Sequence, residues 1–169
     1  KMQQGLLTQP PEYTASQYYA RAVAQIDQGD YQQAENYLEQ ALLKENDATY
    51  RNQLAVVKYR LKKYDEAIAE YQKLIAADID VAFAWNGIGN AYRDWADDRQ
   101  DKEDEYRQKA IEAYQKSLSS NEKYLAAYSN WAILLESLGH RLEAIAVLDQ
   151  GIAKTWSEEL ESIKEKLLK

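Results

Sequence analysis

The sequence predicts an all-α protein: a row of four antiparallel helix pairs closed by a ninth helix. Three observations lead there. The 169-residue chain has 2 Pro and 6 Gly, and both prolines stand at positions 10 and 11, so backbone breakers are almost absent afterwards. Alanine recurs at Ala34, Ala67, Ala110 and Ala144, with spacings of 33, 43 and 34 residues, a period that marks a helical repeat. Four residues after each stands a large residue on the same helical face: Leu38, Tyr71, Tyr114 and Leu148.

Residues 1–14, with Pro10-Pro11, read as an extended tail or linker. The apolar periodicity then places helices at 15–28 and 31–44, at 48–61 and 64–77, at 81–98 and 103–119, and at 124–138 and 141–154. Small residues mark the inner face of each first helix: Ala22, Ala55, Gly89 and Ala132. Paired with the recurring alanines, they let two helices approach closely. A ninth helix spans 158–168. Ser157 is its N-cap, acids fill its first turn, and Leu160, Ile163 and Leu167 form one stripe that can cover the last pair.

The third pair is longer than the others. Gln25, Lys58 and Leu135 precede the repeat alanine by nine residues, but Tyr92 precedes Ala110 by eighteen. The excess contains no Gly or Pro. Trp95 and Tyr106 continue the apolar phase, which predicts a lengthened helical hairpin turning near 99–102, with Asp101 as a cap and Trp95 against Tyr106. Residues 94–105 hold seven acids and two bases, a net -5 of the chain's -7. Asp97, Asp98, Asp101 and Glu105 define this acidic hairpin. Pairs such as Asp98–Lys102 and Arg99–Glu103 would make it a solvated tip; an acidic knob for a basic partner is the other reading. A calcium loop is excluded by the missing turn glycine.

The third unit reads Trp85-x-x-Ile88-Gly89-x-x-Tyr92, then Ala110-x-x-x-Tyr114. The fourth reads Tyr128-x-x-Trp131-Ala132-x-x-Leu135, then Ala144-x-x-x-Leu148. These resemble the tetratricopeptide repeat (TPR) family, whose pattern is W-x-x-L-G-x-x-Y, then A-x-x-x-F, then P. Four units in phase carry the resemblance over about 15–156, with repeats at about 15–47, 48–81, 82–124 and 125–156 and a cap at 157–169. Departures are Arg21 and Gln25 in the first unit, Arg51 and Lys58 in the second, and no repeat-ending proline. The resemblance implies a right-handed superhelix whose first helices line a concave groove. Carried onto this chain, it puts Tyr19, Asn52, Tyr59, Phe83, Asn86, Asn90 and Arg93 in that groove, with Asn130 beside them. Asn86, Asn90 and Arg93 would form a polar row able to hold a peptide backbone or a carboxylate. Tyr19, Tyr59 and Phe83 would be exposed anchors. The carboxylate clamp of chaperone-binding TPR domains does not fit: Asn86 replaces its first Lys, and no further first helix follows the fourth unit.

Other functions are disfavoured by what is absent. A net charge of -7 argues against nucleic acid. There is no Cys, and the single His140 sits in a turn beside Gly139. No catalytic set, metal cluster or phosphate loop stands out, so neither an enzyme nor a cofactor is expected. No apolar run is long enough to cross a membrane. The expected function is a non-enzymatic interaction module, cytoplasmic, binding a peptide or partner subunit as a scaffold or assembly factor; an upstream signal or anchor is compatible with a chain that opens on Lys1. The alternative is a self-associating module that uses a repeat end or the acidic hairpin.

Overall fold

The computed structural model describes residues 12–169, and all regular structure among them is helical. The helices are α1 (Ala15–Gln28), α2 (Tyr31–Lys44), α3 (Ala48–Arg60), α4 (Tyr64–Ala76), α5 (Val81–Asp98), α6 (Glu103–Ser120), α7 (Leu125–Ser137), α8 (Arg141–Thr155) and α9 (Glu158–Leu168). A 3-10 turn, Gln100–Lys102, links α5 to α6. Each helix packs on the next along the chain, and α5 also meets α7. Of the tail expected at 1–14, residues 1–11 lie outside the described residues. Glu12 and Tyr13 already touch the helices: Glu12 bonds Lys44 at 2.6 Å, and the Arg21 guanidinium lies 4.0 Å from the centre of the Tyr13 ring.

Local chemistry sets the ends. Thr14 and Gln17 cap α1 reciprocally; Asp30, Asp47 and Ser157 cap α2, α3 and α9. Asp101 does not cap α6. Its carboxylate takes two hydrogen bonds from Arg99 instead, and α6 starts without a side-chain cap. The turns inside the first, second and fourth pairs close in one way. The residue five before the repeat alanine is left-handed: Gly29 at φ 78°, Lys62 at φ 60° and Gly139 at φ 80°. The next residue's N–H then reaches back to a carbonyl five residues earlier, as Asp30 to Gln25, Lys63 to Lys58 and His140 to Leu135. Two of these positions carry the residue that such a backbone favours. Lys62 does not.

The core runs the length of the row. Ala22, Ala34, Ala55, Ala67, Ala110, Ala132 and Ala144 have no exposed surface. Gly89 is needed for close approach: a Cβ there would lie 2.5 Å from Tyr114 Cε1, and Tyr114 is fully buried. In the third pair Trp95 and Tyr106 meet with ring centroids 4.6 Å apart, and Tyr64 of α4 lies 6.1 Å from Trp95. At the far end Leu160 and Leu167 of α9 are buried against α7 and α8, each burial stabilising by about 2 kcal/mol.

The Lys62 turn gives a test. Its side chain reaches only an exposed ion pair with Asp98 at 3.2 Å, which is worth little. Lys62→Gly should therefore stabilise the protein by about 1 kcal/mol in urea or thermal melts, by relieving the left-handed backbone. A loss of stability would mean that the ion pair outweighs the strain.

Candidate functional site

The first helices α1, α3, α5 and α7 carry the residues expected to line a groove, and several of them form two separate hydrogen-bonded groups that together make a polar spine. Asn130 of α7 donates from Nδ2 to Asn86 Oδ1 of α5 at 3.0 Å. One helical turn on, Asn90 Oδ1 accepts from the Tyr114 hydroxyl at 2.9 Å and from Arg93 at 3.5 Å. Arg93 Nε donates to Asp94 at 2.8 Å, and Asp94 also accepts from the Tyr59 hydroxyl of α3. The spine thus crosses three first helices. Burial disfavours the Arg93 charge, but Tyr114 and Asp94 more than offset it, and its pKa is raised. Burial first, then the bond to Asp94, raises the Tyr59 pKa.

This arrangement corrects the sequence-based picture of an open row. Asn86 is only 6% exposed because Gly87, Ile88 and Gly89 pack their helix closely into the core. Asn90 and Arg93 are half-buried and already bonded to protein. Tyr19, Tyr59 and Phe83, expected as exposed anchors, are half-buried as well: Tyr19 stacks on Tyr50 at 4.9 Å, Tyr59 lies 6.2 Å from Tyr64, and Phe83 meets Tyr71 at 6.0 Å. Asn52 is half-buried on α3. Ile133 of α7, on the same stripe of its helix as Ser129, is 46% exposed.

The acidic hairpin is largely neutralised by bases that mostly lie outside the charged run. Asp97 faces Arg107 at 3.7 Å, Asp98 faces Lys62, Asp101 faces Arg99 at 2.9 Å, and Glu105 faces Lys109 at 2.5 Å. The expected Asp98–Lys102 and Arg99–Glu103 pairs are not those formed; Glu103 pairs with Arg107, whose longer side chain reaches back along its own helix. Tyr64, buried beside Asp98 and Asp94, has its pKa pushed up to about 12.

Sequence reasoning missed an ionic cluster between the first two pairs. Lys58 occupies an aromatic position of the repeat pattern, and its buried ammonium bridges Glu35 at 3.0 Å, Glu66 at 2.5 Å and Glu39 at 3.4 Å. Lys63 meets the buried Glu35 at 2.7 Å. Arg51 bridges Glu70 at 2.6 Å nearby. Burial opposes the Lys58 charge, yet Glu66 and Glu35 hold its pKa above normal; burial likewise opposes the Glu35 charge, yet Lys63 and Lys58 hold its pKa below normal. The signal was present in the departures Arg51 and Lys58, which set charge on a face that must be covered. The described residues contain no grouping of metal-binding side chains, and none of their helices is long and apolar enough to cross a membrane.

Comparison with known proteins places this geometry. Residues 19–82 match the tetratricopeptide repeat family model. A thermophilic TPR protein from Thermus thermophilus superposes with a TM-score of 0.72 at 21% identity, over 91% of this chain and 81% of that one. MamA from Desulfovibrio magneticus RS-1, residue 41 to its end, gives 0.66 at 21% identity, over 89% and 77%. A chain of the APC/C hetero-tetramer Cut9–Hcn1 gives 0.66 at 19% identity, over 93% of this chain and 30% of that one. No curated protein sequence matches. The fold is that of a TPR superhelix.

The ionic cluster is open to measurement. Lys58→Ala leaves Glu35 with Lys63 and the Gln32 amide. It should lower stability at pH 7 by about 2 kcal/mol, less than a fully orphaned charge because Lys63 remains. Glu35 has a lowered pKa, so its pairing contributes above the ordinary carboxylate range and is lost as pH falls through the folded value. The deficit of Lys58→Ala should therefore shrink below about pH 4. Glu35→Gln/Lys58→Met should recover most of it. An undiminished deficit at low pH would assign the loss to packing.

Proposed function

Because residues 19–82 match the tetratricopeptide repeat family model and the fold is that of a TPR superhelix, we propose that the chain is a non-enzymatic interaction module that takes an extended segment of a partner protein along the inner face of α3, α5 and α7. The observation that carries this reading is the Asn86–Asn130 bond. It uses the Asn86 oxygen and one hydrogen of Asn130. Asn86 keeps its amide donors, and Asn130 keeps its acceptor oxygen. Asn86, 6% exposed, offers only the edge of its amide, beside the acceptor of the half-buried Asn130, and this donor and acceptor complement the C=O and N–H of a peptide backbone whatever its side chains. Arg93 holds a fixed cation one turn beyond Asn90, and Ile133 supplies an exposed apolar contact across the face. Assembly or scaffolding is the role that such side-chain-tolerant binding suits.

The site is pre-organised in two groups, Asn86 with Asn130 across α5 and α7, and Asn90, Arg93 and Asp94 with Tyr59 of α3 and Tyr114 of α6. Binding then needs little ordering of the protein, and affinity depends on the partner matching fixed atoms. Peptides selected from a display library on the wild-type chain should lose about tenfold or more in affinity, near 1.4 kcal/mol, on an Asn86→Ala/Asn90→Ala/Arg93→Ala variant, read by calorimetry. Those three side chains also bond within the protein, so Ile133→Arg serves as a second probe: it adds bulk at an exposed position and should weaken binding with unchanged melting. Peptides retained equally by both variants would remove the inner face as the binding site.

A further inference from the structure

The outer faces of the four second helices can be compared position by position, because the repeat supplies its own controls. Counting from the repeat alanine, one stripe is exposed in all four: on α8 it is Leu142, Ala146, Asp149, Ala153 and, at the cap, Trp156. On α6 the equivalent residues are Gln108, Glu112, Gln115, Ser119 and Glu122, all polar. On α2 only Leu43 breaks a polar row, and α4 offers two alanines and the edge residue Ile79. The α8 stripe alone has large apolar groups at both ends, with Leu142 83% and Trp156 84% exposed. Trp156 is held there by a left-handed backbone, φ 53°, that bulky residues rarely adopt.

We propose that this stripe is an interface for a second copy of this chain, with α8 packed antiparallel on α8 across a two-fold axis at Asp149. The spacing is the reason. The steps 4, 3, 4, 3 match a helix–helix seam, and the two large residues, Leu142 and Trp156, lie seven positions to either side of Asp149. Antiparallel pairing sets each Trp156 against the other copy's Leu142 and each Ala146 within one residue of the other copy's Ala153, so the small residues allow close approach while the large ones close the ends. Charge agrees with this direction. Glu143 flanks one end of the stripe and Lys154 flanks the same side at the other, so antiparallel helices bring opposite charges together and parallel helices would bring like charges together. Their present partners, His140 and Glu122, are exposed surface pairs of low strength. At the axis each Asp149 already holds Lys164 of α9 at 2.5 Å, which offsets the approach of two carboxylates. A single crossing of four turns is smaller than the ~1,200 Å² of a stable interface, so the dimer is reversible and concentration-dependent.

Sedimentation of the full chain over about 5–500 µM, a range chosen for a weak interface, should show the mass rise from one chain toward two. Leu142→Glu and Ala153→Glu, at exposed helical positions, should each stay monomeric throughout with unchanged melting. The chain has no Cys, so single cysteines report geometry cleanly. Asp149→Cys, placed at the axis, should form a disulfide dimer at least about tenfold faster than Gln115→Cys at the equivalent site on α6. A monomer across the whole range overturns the proposal and leaves the stripe to a different protein. A dimer in which both cysteines link at the same rate overturns the antiparallel pairing.

Discussion

Close approach of helices at alanine and glycine is the constraint on which the structure depends. A helix pair that meets through Ala22 and Ala34, or through Ala55 and Ala67, leaves no room for a side chain between the backbones. Larger residues are displaced to either side, where they bury the neighbouring pair. The same constraint builds the polar spine. Gly89 lets the Tyr114 ring lie against α5, and only there does its hydroxyl reach Asn90, which in turn accepts from Arg93. A packing requirement in the core therefore fixes the rotamers of groups that face the inner surface. Such support is how a repeat protein obtains a rigid site without loops.

Where the apolar pattern lapses, ions take over. Lys58 and Arg51 stand where the repeat pattern calls for apolar contacts, and each is answered by a carboxylate from a neighbouring second helix: Glu35, Glu66 or Glu70. Buried pairs of this kind add little net stability over a well-packed apolar substitute, but they penalise any register that separates the partners. The first two units thus join by a geometry-selective contact, and the last two by the apolar contacts of Ala110, Tyr114 and Leu134. A row of similar units can misalign by one repeat, and a charge that has its partner in only one alignment disfavours that error.

The fold was legible because its signals are local and recur. The alanine period and the scarcity of breakers place every helix end to within one residue; the single-residue differences fall on α3, α4, α6, α7 and α8, and those of α3 and α4 sit at ends closed by the left-handed Lys62 and Asp78, which no glycine announces. The site was legible only in part. Sequence position puts Asn86, Asn90 and Arg93 on one helical stripe, but it does not say how deeply that stripe is sunk. Burial of Asn86 follows from the flanking Gly87 and Gly89, small residues that draw neighbouring rings of Tyr71 and Tyr114 against the same helix. Asp94 escaped notice because it lies off the stripe by one position, yet it pairs with both Arg93 and Tyr59. The hairpin charges were counted correctly and paired wrongly, since Lys62 and Arg107 come from outside the charged run.

Two surfaces follow from one architecture, and their chemistry differs for a physical reason. The inner face is crowded by neighbouring helices, so its polar groups must satisfy one another before they meet a partner. What remains for recognition is the surplus of that network, a few donors and acceptors in fixed places. The outer face is uncrowded. Each second helix exposes its outer stripe to water, nothing in the packing of the row requires apolar residues there, and α6 accordingly carries none. An apolar outer stripe therefore contributes nothing to the stability of the single chain and raises its exposed greasy surface. Leu142 and Trp156 on α8 have no role in the folded monomer that Gln108 and Glu122 do not fill on α6. The proposed contact between two copies of α8 supplies such a role.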